Sequence, residues 1–113
     1  MHELSITKSM LRIIAREMKS NGVKRLKKVH IKVGELTAVE PEALRFCFEE
    51  SIRSTPMEGA LLEIDDVPLT GRCKACGTEF RIEAFTNICP DCGGNEIERI
   101  AGTELDIISI EAV

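Results

Sequence analysis

The opening stretch of the chain has the amphipathic spacing of an α-helix. From residue 4 to residue 20, apolar side chains recur every three or four positions on one broad face, and basic side chains lie on the other. Asn21 and Gly22 are typical of a helix end. The width of the apolar face predicts that this helix packs across a sheet.

Three stretches further along the chain have the pattern of β-strands. In residues 28–34, the side chains of Val29, Ile31 and Val33 point one way and the polar residues between them point the other. Residues 60–67 and 103–111 are the other two strand candidates.

A second helix is expected between the first two strands. It begins at Glu40-Pro41-Glu42, because a proline and acidic side chains in the first turn suit a helix start. It ends near Arg53, and Thr55-Pro56 excludes a longer helix. The residues on its apolar face are Leu44, Cys47, Phe48 and Ile52.

Together these elements predict an α/β fold of two layers (α+β), with a three-stranded sheet, two helices and an inserted four-cysteine zinc-ribbon module. Residues 68–102 contain no long periodic run and are expected to form a loop-rich unit held by metal. The predicted division is one domain of residues 1–67 and 103–113 and a second of residues 68–102. The two connections, at residues 67–69 and 100–102, are expected to act as a double-stranded hinge.

Composition and charge exclude several functional classes. The 113 residues carry 15 Lys and Arg against 19 Asp and Glu, a formal net charge of −4, and include neither Trp nor Tyr. An acidic chain with few aromatic residues is a poor binder of nucleic acid. Apolar runs stay short of the roughly 20 residues of a membrane span, and the start lacks the apolar core of a signal peptide. We expect a cytoplasmic protein with no membrane or nucleic-acid partner.

Four of the five cysteines have the spacing of a metal site. Cys73 and Cys76 form one Cys-x-x-Cys pair, and Cys89 and Cys92 form the other. Two such turns facing each other give four sulfurs at tetrahedral positions, and four protein ligands leave no place for a catalytic water. Structural zinc is therefore the expected ion, ahead of iron. Disulfides or a redox pair suit a chain without a secretory signal less well.

The first three residues are a candidate site for a second ion. The α-amine of Met1 and the amide and imidazole nitrogens of His2 can chelate one ion, and the Glu3 amide nitrogen can add a fourth donor. Planar nitrogen coordination suits Ni(II) or Cu(II). Because the donors must lose protons to bind, affinity is expected to fall at low pH. A histidine at position 2 also arises by chance, so these residues alone do not decide whether a metal site exists here.

The combination of motifs resembles the HypA family, the metallochaperones that insert nickel during [NiFe]-hydrogenase maturation. The resemblance rests on Met1-His2-Glu3, on Gly34-Glu35-Leu36, on Val39-Glu40-Pro41-Glu42-Ala43-Leu44 and on the two Cys-x-x-Cys pairs. It covers nearly the whole chain in the same order. It implies an α/β nickel-binding domain with an inserted zinc ribbon.

The resemblance also implies site residues, a cargo and partners. Carried over by position, the Ni(II) cargo falls on the Met1 amine, His2 and Glu3, with Glu40 as a nearby carboxylate. The implied structural zinc ligands are Cys73, Cys76, Cys89 and Cys92. The implied partners are the GTPase HypB and the [NiFe]-hydrogenase large-subunit precursor, and some members also serve urease maturation proteins. The expected activity is nickel delivery, not catalysis. The resemblance does not decide whether the chain forms a weak homodimer.

The sequence also allows two other functions. Four-cysteine ribbons occur in nucleic-acid-binding and regulatory proteins, although the acidic charge of this chain opposes that interpretation. A zinc or redox enzyme would need an open metal position or a reactive cysteine beside a base, and the sequence contains no evident sign of either.

Overall fold

The computed structural model describes residues 2–83 and 87–113. Within these residues, two helices and six strands form two three-stranded sheets. The elements in chain order are α1 (Glu3–Ser20), β1 (Leu26–Gly34), a 3-10 turn (Glu35–Thr37), α2 (Pro41–Ile52), β2 (Leu61–Val67), β3 (Thr70–Cys73), β4 (Glu79–Arg81), β5 (Ile97–Ala101) and β6 (Leu105–Ala112). Neither described helix has the length and apolar content that a membrane crossing requires.

Helix α1 confirms the predicted amphipathic segment, but its apolar face is only partly covered. Met10, Ile14 and Met18 are buried in the main core. Leu4 and Ile13, also apolar, remain 51% and 47% exposed. The central part of the face therefore packs as predicted, whereas its margin is open to solvent.

Strand β1 is the centre of the first sheet, in which the strand order is β2-β1-β6. It pairs in parallel with β2 and antiparallel with β6. Val29, Ile31 and Val33 are buried, which confirms the predicted alternation. A register shift lies opposite His30 and Ile31, so that Ile108 of β6 has no direct partner on β1.

Helix α2 makes the crossover between the parallel strands β1 and β2. Its start is stabilised by Glu40, whose carboxylate accepts a hydrogen bond from Glu42 N at 3.4 Å. Leu44, Phe48 and Ile52 are buried, as the apolar pattern predicted. The two predicted helices therefore line one core with the first sheet.

Residues 68–102 contain a second sheet, with the order β4-β3-β5, which corrects the expectation of a loop-rich unit. Its strands have only three to five residues, too few for a periodic pattern to indicate them. Gly71 of β3 is closely covered: a Cβ there would lie 2.5 Å from Ile97 Cγ2 and 2.9 Å from Ile82 Cδ1. Glycine at this position therefore allows the small sheet to close.

The two sheets meet at a junction in which backbone packs directly on backbone. Gly34 N donates to Glu104 O at 2.7 Å, and Leu36 N donates to Gly102 O at 2.8 Å. A Cβ on Gly34 would collide with the backbone of Gly102, and one on Gly102 would collide with the backbone of Leu69. The connections that were expected to form a hinge are thus packed against the end of β1.

The Glu35 carboxylate joins this end of β1 to the second sheet. Its Oε1 accepts a hydrogen bond from Leu69 N at 2.8 Å, and its Oε2 lies 3.2 Å from Arg81 Nη2. The hydrogen bonds from Leu69 and Arg81 lower the pKa of Glu35. Its contribution to stability is therefore present above the ordinary glutamate value of 4.5 and is lost as the pH falls through the lowered pKa.

Two substitutions should separate the contacts of Glu35. Glu35→Gln keeps an oxygen that can accept from Leu69 N but loses the charge facing Arg81, whereas Glu35→Ala loses both contacts. We expect amide hydrogen exchange at Leu69 to accelerate roughly fivefold to tenfold in Glu35→Ala and less than about twofold in Glu35→Gln. NMR of the zinc-loaded protein measures the exchange. The control, Glu79→Ala, breaks an ion pair with Arg72 inside the second sheet and should leave Leu69 unchanged; equal rates in all variants would contradict the assignment.

Candidate metal centres

Two Cys-x-x-Cys turns with the same backbone geometry present the candidate zinc ligands. In each turn, the carbonyl of the first cysteine accepts a hydrogen bond from a glycine: Gly77 N donates to Cys73 O at 2.8 Å, and Gly93 N donates to Cys89 O at 3.0 Å. Both glycines adopt a positive φ, 79° for Gly77 and 74° for Gly93. Glycine follows each pair in the sequence, and it suits these positions because other residues rarely adopt a positive φ.

The turns bring all four predicted sulfur ligands together. The four Sγ atoms lie within 4.8 Å of one another, and the Cys73–Cys92 and Cys76–Cys89 sulfur pairs are each 3.5 Å apart. Tetrahedral zinc with Zn–S bonds of about 2.3 Å requires sulfurs roughly 3.8 Å apart. Cys73 and Cys89 are buried, and the other two are exposed. The cluster therefore fits a structural zinc ion with four protein ligands.

The sulfur cluster has the electrostatics of a cation site. Hydrogen bonding with Thr78 lowers the pKa of Cys76 to about 6. A hydrogen bond from Gly94 lowers the pKa of Cys92, but the three neighbouring thiols outweigh it and raise that pKa to about 12. The neighbouring thiols therefore oppose the ionisation of Cys92, and a divalent cation is what allows all four sulfurs to be thiolates together.

Two polar residues beside the sulfurs were not indicated by the motif. Thr78 Oγ1 lies 3.2 Å from Cys76 Sγ and donates to Asp91 Oδ2 at 2.9 Å. Groups of this kind orient metal ligands and exclude other arrangements of the site. The available signal was position: Thr78 follows Cys76 by two residues, and Asp91 follows Cys89 by two.

The sequence also places Phe80, Ile82, Phe85 and Ile88 around the two Cys-x-x-Cys pairs, which predicts a small apolar cluster beneath the ion; only part of it is present. Ile82 is buried and Phe80 is half-buried. Ile88 is 58% exposed, so its predicted place in the cluster is wrong, and Phe85 lies outside the described residues. Ile97 of β5 takes part instead, since it lies against Gly71 together with Ile82. A residue from a distant strand thus supplies packing that the local sequence did not reveal.

The candidate nickel residues lie where the two helices begin. His2 is exposed and directly precedes α1, and Glu3 is its first residue. Glu3 Oε2 accepts a hydrogen bond from Glu40 N at 3.3 Å, which joins the start of α1 to the start of α2. Met1, the predicted amine ligand, lies outside the described residues. Glu3 and Glu40 are therefore neighbours, although 37 positions separate them in the chain.

Comparison with known proteins finds relatives that match nearly the whole chain. A family model described as hydrogenase/urease nickel incorporation, metallochaperone, hypA matches residues 1–112. The hydrogenase maturation factor HypA of Geobacter metallireducens is 40% identical over 111 residues, covering 98% of each chain. The factor of the same name from Geotalea daltonii is 41% identical over 113 residues, covering 100% of each chain.

Two solved structures have the same fold. The Ni metallochaperone HypA from Helicobacter pylori, in solution, superposes with a TM-score of 0.67 at 25% identity, over 100% of this chain and 98% of the other. A second solution structure of a HypA protein gives a TM-score of 0.74 at 24% identity, over 100% and 97% of the two chains. The predicted α+β architecture with a four-cysteine module is therefore confirmed.

Proposed function

Since this chain belongs to the HypA family of hydrogenase and urease nickel-incorporation metallochaperones, we propose that it binds Ni(II) at its N-terminus and delivers it to the large-subunit precursor of a [NiFe]-hydrogenase. The observation that carries the proposal is the family match over residues 1–112, which includes His2 and all four clustered cysteines. The family is described as a metallochaperone, so the proposed activity is transfer of an ion and not catalysis.

The proposed nickel ligands are the Met1 amine, His2 and Glu3, with Glu40 as a neighbouring carboxylate. Support comes from the contact between Glu3 Oε2 and Glu40 N at 3.3 Å, which brings the acidic residue that caps α2 to the start of α1. His2 is exposed, so an ion bound there is open to exchange. Such a site can release its cargo, whereas a saturated four-thiolate site holds its ion.

The remaining roles follow from assigning nickel and zinc to two separate sites. We assign residues 1–67 and 103–113 to the nickel-binding domain and residues 68–102 to the zinc-binding domain, which corresponds to the two sheets. The zinc ligands Cys73, Cys76, Cys89 and Cys92 then serve structure alone. The proposed partners are the GTPase HypB, the hydrogenase precursor and, where the host has them, urease maturation proteins. The proposed location is the cytoplasm.

His2→Ala should abolish stoichiometric nickel binding without unfolding the protein. Because the imidazole donor leaves the site while the backbone amide of residue 2 remains, we expect the nickel affinity to fall at least about 100-fold, while zinc content and circular dichroism stay unchanged. Isothermal titration of protein with an untagged N-terminus measures this. His30→Ala is the matched control: this second histidine lies 2.9 Å from Asp65 on the first sheet and should bind nickel like wild type. Unchanged affinity in His2→Ala, or in a variant extended before Met1, would exclude the N-terminal site.

Delivery requires its own measurement. Nickel-loaded wild-type protein should transfer the ion to an isolated hydrogenase large-subunit precursor, and His2→Ala should not. Metal analysis of the two proteins after separation measures the transfer. Retention of nickel by the wild-type chain in the presence of the precursor and HypB would overturn the delivery step while leaving nickel binding intact.

A further inference from the structure

Helix α1 and strand β6 leave an open apolar groove beside the edge of the first sheet. In the described part of the chain, β6 pairs with β1 alone, so its other side presents unpaired backbone N–H and C=O groups. Three large apolar side chains along this edge are exposed: Ile13 of α1 (47%), Leu105 (42%) and Ile108 (45%) of β6. This is the uncovered margin of the wide apolar face of α1.

The groove has the dimensions of an extended peptide. Two cavities, of about 660 and 570 Å³, adjoin because both are lined by Ile13 and Ile107. They reach from Ser5 to Asn21 along α1, which is about 24 Å at the helical rise. The eight residues of β6 cover a similar length at about 3.4 Å per residue. An extended segment of about seven residues matches this length.

Charges across the sheet indicate what kind of segment fits. On the face away from the helices, Asp65 of β2 lies opposite Lys32 of β1, which in turn lies opposite Asp106 of β6. Nearer the other end of the sheet, Lys28 of β1 lies opposite Glu111 of β6 and forms a diagonal ion pair of 2.9 Å with Glu63 of β2, which itself lies opposite His30. In both places a lysine of β1 lies between acidic residues of the two flanking strands, so that a basic residue on a strand added to β6 would continue the alternation of charge.

The same charges disfavour a second copy of this chain at the edge. If β6 paired antiparallel with its own copy, centred between Ile108 and Ser109, Asp106 would lie opposite Glu111 of the other chain. Like charges directly opposite each other destabilise a sheet. The charged residues lining the two cavities, Glu17 and Asp106, are also acidic. The edge therefore favours a basic segment over itself.

We propose that this groove is a docking site for an extended, basic segment of a partner protein, which adds to β6 as a fourth strand. Two lysines or arginines four residues apart would face Asp106 and Glu111, because Lys28 and Lys32 on β1 set the same spacing. The apolar residues between them would point to the opposite face and enter the groove against Ile13. Backbone hydrogen bonds supply affinity in this mode, and the alternating side chains supply specificity.

Two peptides that differ only in charge test the proposal. The probes are Thr-Lys-Val-Thr-Val-Lys-Thr and its counterpart with Glu in place of both Lys, titrated into the zinc-loaded full chain and followed by NMR. We expect saturable shifts confined to residues 5–23 and 105–112 and binding of the Lys peptide at least about fivefold tighter than the Glu peptide. Absence of saturation at several millimolar, or equal binding of the two peptides, would overturn the proposal.

Substitutions on the surface test whether the peptide binds in the groove. Ile13→Lys should weaken the Lys peptide about tenfold, and Asp106→Lys should reverse the preference between the peptides. The control, Leu61→Lys, changes a residue that is 66% exposed on the opposite edge strand and should have no effect. Sedimentation of the wild-type chain as a dimer that Ile13→Lys dissociates would overturn the proposal in favour of a second copy. Nickel titration of the same variants should be unchanged, which keeps this test separate from that of the nickel site.

Discussion

Removal of zinc, or Cys73→Ser, should unfold residues 68–102 and leave α1, α2 and the first sheet folded. Apart from the ligands Cys73 and Cys89, the buried apolar side chains in this segment are Leu69 and Ile82 within the described residues. Two such side chains contribute about 1.5–3 kcal/mol each. Zinc binding contributes on the order of 10–16 kcal/mol in small zinc-finger peptides. The ion therefore dominates the stability of this unit, while the first sheet has an independent core.

Amide hydrogen exchange by NMR, recorded before and after chelation, distinguishes the two units of the chain. Protection should be lost at Gly71 and Cys73 and kept at Val29 and Ile31 in the first sheet. Cys47→Ser is the matched control, because this cysteine lies on α2 away from the cluster and its replacement should leave zinc bound. Protection of the second sheet in metal-free protein would show that the four sulfurs are not what holds it together.

Gly102→Ala should destabilise the zinc-loaded protein by about 2–5 kcal/mol, a large part of a typical domain's stability. Gly102 has φ +101°, a conformation that alanine adopts only with strain, and a Cβ there would also collide with the Leu69 backbone. Both causes act at the junction where the second sheet meets the end of β1. Urea denaturation followed by circular dichroism measures the loss.

Two other glycines separate these causes. Gly22 has φ +67° with nothing within 4 Å of a Cβ, so Gly22→Ala reports the conformational cost alone. Gly34 is crowded by the Gly102 backbone without a positive φ, so Gly34→Ala reports the crowding alone. We expect Gly102→Ala to exceed Gly22→Ala by at least about 1 kcal/mol. Equal losses would mean that the junction yields to an added methyl group.

Elements with long, regular patterns were predicted well. Helix α1 and strand β1 appear within about two residues of their predicted bounds, because each has enough turns or alternations for the period to be clear. The zinc cluster was equally clear, since a Cys-x-x-Cys turn places both of its sulfurs by local geometry. Strands β3, β4 and β5 were missed, because a strand of three to five residues carries no readable period.

Features that depend on residues far apart in the chain could not be predicted from the local pattern of apolar and polar residues. Ile88 is apolar and adjacent to a ligand, yet it is exposed, while the half-buried Ile97 from another strand packs against Gly71. The connections at residues 67–69 and 100–102 look like a hinge in sequence, but Glu35, more than 30 positions before Leu69, holds one of them. The residues around Leu69 do not indicate that Glu35 accepts a hydrogen bond from its backbone N–H.

Residue types and spacing alone thus specified four cysteines placed for one zinc ion, two amphipathic helices and a central strand. Those properties depend on neighbours within a few positions, where covalent geometry fixes distances. Tertiary packing determined which margin of α1 stays open, which edge of the sheet is unpaired and how Glu3 meets Glu40. These depend on where the chain returns in space, which is set by the whole core and not by any single segment.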